Sequence, residues 1–177
     1  NGQAKRWPPE HFASLADRLV DELDALVVLT GAPNEAPLAA AVVRRAQRPV
    51  ANLVGSTSIP ELVAVLAESE VLVTGDSGPM HIACAVSTPV VALHGPTDPA
   101  LSGPAARDAL VLRHRLWCAP CYDASATAEC RFGNPVCMKD LRPELVLAAV
   151  RRQLRRVRHM VEAGANDARE TAFQSPA

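Results

Sequence analysis

The chain is 177 residues long, 49% hydrophobic and 21% charged, proportions that suit one compact domain with a short tail and exclude disorder except at the ends. Lys and Arg total 18 against 19 Asp and Glu, a net charge of -1 that excludes gathering of nucleic acid or an anionic membrane by bulk charge. The longest uncharged stretch, Ser77 to Thr97, is broken by Pro79, His81, Pro89, His94 and Pro96, so it is not a membrane span.

The chain opens on NGQAKRWPPEH, a loop leading straight into a helix from Pro9 (PEHFASLADRLVDEL). Asn1 is not a start methionine and a doubly wound fold begins with a strand, so this chain is expected to be a piece of something longer whose first strand is missing. Apolar runs rich in Val and Leu then recur at Leu23–Thr30, Pro49–Val54, Val71–Gly75, Pro89–Gly95 and Ala109–His114, the pattern of buried parallel strands. Helical periodicity fills the gaps, in APLAAAVVRRAQ from Ala36 and SIPELVAVLAES from Ser58. Ser58 is placed to cap the second of these, with Pro60 and Glu61 in its first turn, and Asp76 or Ser77 to cap a short helix through PMHIACAVS. A long helix from Pro143 to about Gly164 and a flexible tail over 165–177 complete the chain. The expected fold is α/β, a Rossmann-like doubly wound parallel sheet, with residues 1–164 forming one domain.

In such folds ligands sit beyond the carboxyl ends of the strands. There TGDSGPMH (Thr74–His81) joins a buried strand to a helix through small residues, aiming backbone N–H groups and the positive helix end at one spot, which suits a phosphate or diphosphate. Gly78 would admit the ligand close to the backbone. HGPTDP (His94–Pro99) repeats the arrangement one strand on, with Thr97 able to donate to the same phosphate. TGAPNE (Thr30–Glu35) adds a carboxylate, and an acid beside a phosphate cradle usually reads a ribose hydroxyl. Tight-turn chemistry accounts for any one of these loops alone. Two at successive strand ends, with a third after an earlier strand, are harder to assign to turns.

In chain order, AKRWPPEHFASLADRL, VVLTGAPNE, LVGSTSIPEL, LVTGDSGPMHIACA, VVALHGPTDP and CAPCY…CRFGNPVCM resemble the C-terminal domain of glycosyltransferase family 9, the ADP-heptose:lipopolysaccharide heptosyltransferases, over about residues 4 to 150. The resemblance implies the nucleotide-sugar-binding half of a GT-B enzyme. By motif, Lys5 matches the family's phosphate-facing lysine and Glu35 its ribose-binding acid. Asp76, Ser77, Gly78 and His81 match the diphosphate and sugar loop, with Thr57 and Thr97 beside them. Lys5 is then the catalytic contribution, stabilising the leaving group, whereas composition alone reads it as a solvated lysine. The implied reaction is an inverting displacement with an ADP-heptose or related donor and a lipid-linked glycan acceptor, requiring no metal. The implied catalytic base and acceptor site belong to an N-terminal domain with no counterpart here, and the implied location is the cytoplasm, at the inner face of the inner membrane.

Other features admit other readings. GDSGP is shared with the nucleophile loop of chymotrypsin-like proteases, with Ser77 and His81 four apart, but the α/β alternation and the lack of a separate His and Asp argue against a hydrolase. His11, His114 and His159, like His94, read as ordinary structural histidines, and Cys84 as a small core residue. Cys118, Cys121, Cys130 and Cys137, spaced C-x2-C-x8-C-x6-C in a long loop over 116–138, are candidates for a structural zinc or iron, with free or partly oxidised thiols the alternative. Arg151, Arg152, Arg155, Arg156 and Arg158 read as a solvated face of the last helix, or as a surface for another domain or a membrane. The function that competes with the transferase is a non-catalytic, metal-stapled Rossmann-like binding module.

Overall fold

A computed structural model of the chain describes residues 2–122 and 129–173, with side chains described as far as residue 159. Helices α1 (Pro9–Leu23), α2 (Ala36–Arg45), α3 (Ile59–Ala67), α4 (Gly78–Ala85), α5 (Pro99–Ser102), α6 (Val136–Lys139) and α7 (Pro143–Phe173) alternate with strands β1 (Val28–Leu29), β2 (Ala51–Asn52), β3 (Leu72–Gly75), β4 (Val90–His94) and β5 (Leu110–Arg113) as far as β5. All pairings are parallel. The strands form two sheets, β1-β2 and β3-β4-β5, so β1 and β3 each keep an unpaired edge. A doubly wound sheet sets its first strand between these two edges, and no strand precedes α1 among the described residues.

Strand β4 lies at the centre and is buried at every position. Its alternation divides the core: Val91 and Leu93 pack with Trp7, Leu15, Met138, Leu147 and Val150, while Val90 and Ala92 pack with Leu62, Leu66, Met80 and Ala83. A strand covered on both faces tolerates no polar residue midway, hence the unbroken VVAL run. Helix α1 begins at Pro9, whose missing N–H costs nothing in the first turn, and ends at Asp24 with φ 53°. Helix α3 has Ser58 as its N-cap, as expected, and Glu61 completes a capping box with it.

Helix α7 closes one face. The buried amide of Gln153 donates to the carbonyls of Val90 and Asp108, both at 2.9 Å, Arg156 donates to Asp108, and Arg151 pairs with Glu22 of α1. At least two of the five arginines therefore hold the fold together. The helix continues past Gly164 to Phe173, where a tail was expected, because DARETAF is rich in good helix formers. Residues 174–177 lie outside the described residues. No helix among the described residues is long and apolar enough to cross a membrane.

The leading segment is fixed by Trp7. Its ring is buried edge-on against Phe12, with centroids 4.7 Å apart, and its Nε1 donates to the Leu141 carbonyl at 2.7 Å. The chain is thereby tied to the start of α7, which positions Lys5 two residues earlier.

Candidate functional site

The loops after β3 and β4 converge on one carboxylate. Asp76, in the turn between β3 and α4, is 9% exposed, and its Oδ2 accepts hydrogen bonds from Lys5 Nζ and from Ser102 Oγ, each at 3.1 Å. The Thr97 hydroxyl, whose Oγ1 lies 3.2 Å from Nδ1 of His94, is close enough to add to the field on this carboxylate. Burial alone would raise the Asp76 pKa, but the Lys5 ammonium and the Thr97 and Ser102 hydroxyls outweigh it and hold the group below its ordinary value of 3.8. Asp76 is thus an ionised anchor whose Oδ2 is occupied by the protein itself.

Lys5 ends a 3-10 turn (Gln3–Lys5) and keeps 16% of its side chain exposed. The ring of Tyr122 lies 4.3 Å from its ammonium, a cation–π contact that limits where the chain can swing. Tyr122 is held in turn, because the N–H groups of Cys121 and Tyr122 both donate to the Pro96 carbonyl, at 2.8 and 2.9 Å. The cysteine-bearing loop is therefore clipped onto the GPTDP turn.

Ser77 occupies the N-cap position of α4, but its hydroxyl makes no cap; it meets Thr74 Oγ1 at 3.1 Å and the Gly75 carbonyl at 3.3 Å. The first turn of α4 therefore has no side-chain cap. A Cβ built on exposed Gly78 would find nothing within 4 Å, so open space lies over the helix start. Pro79 has no N–H and that of Met80 bonds the Ser77 carbonyl at 3.1 Å, so what this turn leaves for a ligand is the Gly78 N–H and the open space over it.

Lys5 and Asp76 are thus joined directly, with Thr97 close by and Ser77 and Gly78 next along the turn. His81 is exposed on α4 and its ring makes no hydrogen bond among the described residues. Glu35 and Thr57 follow β1 and β2, with no hydrogen bond to the Asp76 group; Glu35 Oε2 accepts from the Ala32 N–H at 2.9 Å and so braces its own turn. A Cβ on Gly31 would lie 2.8 Å from that oxygen, a clash that a shift of the Glu35 side chain would relieve. Sequence reasoning missed Ser102 and Tyr122. The spacing from Asp98, which caps α5, placed Ser102 one turn further on the same face; nothing in the sequence pointed to Tyr122.

The described residues give the candidate metal centre no support. The four loop cysteines and Cys84 are free, and among the described residues no three His, Cys, Asp or Glu side chains are arranged to hold an ion. Cys137 lies in α6 and turns into the core beside Met138. Burial, and secondarily Cys121, push its thiol up to about 11, and burial raises Cys121 as well, so both stay protonated. The spacing did not reveal that α6 carries its cysteine inward.

The model of glycosyltransferase family 9 (heptosyltransferase) matches residues 1–131. Lipopolysaccharide heptosyltransferase 2 of Escherichia coli K12 is 38% identical over 115 residues, 63% of this chain and 33% of that protein. A solved structure of E. coli ADP-heptose lps heptosyltransferase II superposes with TM-score 0.76 at 30% identity, covering 89% of this chain and 44% of the other. For E. coli heptosyltransferase WaaC, solved with ADP, the TM-score is 0.66 at 26% identity, over 85% and 41%. The chain therefore spans between a third and a half of the length of these relatives. Its α/β fold is the Rossmann-like unit found in these GT-B proteins. With the match running from the Lys5 turn through the GDSGP and GPTDP loops, the chain belongs to glycosyltransferase family 9, the heptosyltransferase family.

Proposed function

We propose that this chain is the donor-binding domain of an inverting glycosyltransferase that moves a heptose or similar sugar from an ADP-sugar to a lipopolysaccharide-type acceptor. One observation carries the reading: the Lys5 ammonium, anchored by Asp76, stands beside an uncapped helix start with open space over Gly78. An ammonium has three protons and Asp76 takes one, which leaves two for phosphate oxygens. Lys5 and the first turn of α4 offset the charge that builds on the departing diphosphate, a preorganised electrostatic contribution. Glu35 reads the ribose with the oxygen its own turn leaves unused, and Thr57 and His81 line the donor's approach. The acceptor hydroxyl is deprotonated by a carboxylate of the N-terminal domain acting as general base, and the lipid-linked acceptor meets the enzyme at the cytoplasmic face of the inner membrane.

The test is a calorimetric titration with ADP and ADP-sugars. The chain binds ADP, and ligand at a hundredfold over its dissociation constant raises stability by about 2.7 kcal/mol. Gly78→Val fills the space over α4 and weakens ADP binding by about tenfold or more, while the melting transition stays in place because no neighbour is displaced. Glu35→Gln loses less, since its amide oxygen still accepts from Ala32 and its amide still bonds a hydroxyl. No ADP binding, or unchanged affinity in Gly78→Val, overturns the placement.

A further inference from the structure

We propose that a concave site between the end of α1 and the middle of α7 binds a phosphomonoester group carried on an apolar body. The site has a volume of about 360 Å³ and is lined by Glu22, Leu23, Arg151, Leu154, Arg155 and Arg158. Spacings of four and three put the three arginines on one face of the helix. Arg151 donates to the Glu22 carboxylate, which also accepts from Arg18 Nε at 2.7 Å, so the one acid in the lining is already shared between two guanidiniums. Arg155 and Arg158 are exposed and have neither hydrogen bond nor ion pair among the described residues. Like charges at these spacings repel, so the helix keeps an unfavourable row that its own contacts do not account for.

The shape of the site says what would satisfy the row. Leu23 and Leu154 pack against the main core, so the floor is apolar and fixed while the walls carry guanidiniums. Two unpaired guanidiniums over an apolar floor match an amphiphile with two negative charges at its head. A phosphomonoester carries about −1.5 to −2 charges at neutral pH and three acceptor oxygens, enough for two forked donors, whereas a carboxylate carries one charge. With a net charge of -1 the chain has no bulk attraction for anions, so binding rests on these side chains. The site also stands apart from the donor loops. Gln153, between the same arginines, bonds the carbonyl of Val90, the first residue of β4, whereas Asp76 and Thr97 follow the carboxyl ends of β3 and β4. The two sites therefore lie at opposite ends of the sheet, and neither depends on the other.

Two probes distinguish the sources of such a group. Inorganic phosphate shifts the Nε–Hε NMR signals of Arg155 and Arg158, and phosphatidylcholine vesicles carrying phosphatidic acid co-sediment with the chain. Arg155→Gln and Arg158→Gln each weaken vesicle binding by about tenfold, the loss of one hydrogen bond to a charged group. Arg152→Gln removes the same charge from the same helix outside the site and leaves binding in place. Attraction by charge alone would cost all three variants about fivefold alike, and that result overturns the proposal. Arg155→Gln melts no lower than the wild type, because it breaks no contact and removes a repulsion, so lost binding is not lost folding. Phosphate shifts without vesicle binding assign the site to a soluble phosphomonoester, whereas vesicle binding lost in Arg155→Gln and Arg158→Gln assigns it to a lipid. If phosphate shifts neither signal and no vesicles bind, the site takes no phosphate and the proposal falls.

Discussion

Lys5→Met weakens ADP binding by about 10- to 100-fold, the equivalent of the 1.5–3 kcal/mol typical of hydrogen bonds to a charged group. The same substitution costs fold stability at neutral pH, about 3 kcal/mol, the low end for breaking a buried pair because both partners keep some contact with water. The pH dependence carries the sign. In the wild type the Asp76 pKa is depressed, so its contribution is present above the unfolded value near 3.8 and is lost as pH falls through the folded value. Without Lys5 the two largest lowering influences are gone, so the Asp76 pKa moves up and the stability that its ionisation contributes at neutral pH shrinks. The stability gap between the two proteins therefore closes as pH drops from 7 to below 4. Urea melts at several pH values measure this, and a gap independent of pH would mean that Lys5 and Asp76 are not coupled.

Trp7→Ala destabilises the fold by about 3–5 kcal/mol, the range for removing a buried aromatic, and more than any other single truncation in the leading segment. Trp7 is 3% exposed, packs edge-on against Phe12, and satisfies the Leu141 carbonyl at the start of α7. Trp7→Phe separates the two contributions, keeping most of the packing and leaving that carbonyl without a partner, for about 1–2 kcal/mol. Because Trp7 ties down the segment that carries Lys5, ADP affinity falls in the alanine variant even at temperatures where it remains folded. A melting curve like that of the wild type would show that the leading segment is not part of the cooperative unit.

Helix boundaries were the most legible part of the fold, because α1 and α3 carry their start signals as Pro9 and Ser58–Glu61. The strands were legible in number and order, but the run from Leu23 to Thr30 yields two paired residues and the run from Pro49 to Val54 another two. Apolar composition marks a strand, whereas its length depends on a partner at each edge, and β1 has one. In the site, the GDSGP and GPTDP loops could be read as an anion cradle, yet the Lys5–Asp76 pair spans 71 positions and only the fold brings it together. Tyr122 reaches Lys5 because two backbone N–H groups seize Pro96, an arrangement with no sequence signature. The cysteine spacing could not show that Cys137 would be buried in α6 with its thiol held protonated.

The break between β1 and β3 divides the molecule into parts of unequal cooperativity. Amide protons of β4, hydrogen-bonded on both sides beneath α7, are expected to exchange only by global unfolding, whereas those of two-residue β1 and exposed β2 exchange through local opening. Glu35 stands on the weakly protected part, and Lys5 and Asp76 on the strongly protected one. A donor that spans both would convert the first part's independent opening into an event that must also release ligand, so bound nucleotide would slow exchange most at β1 and β2, where the protein by itself protects least.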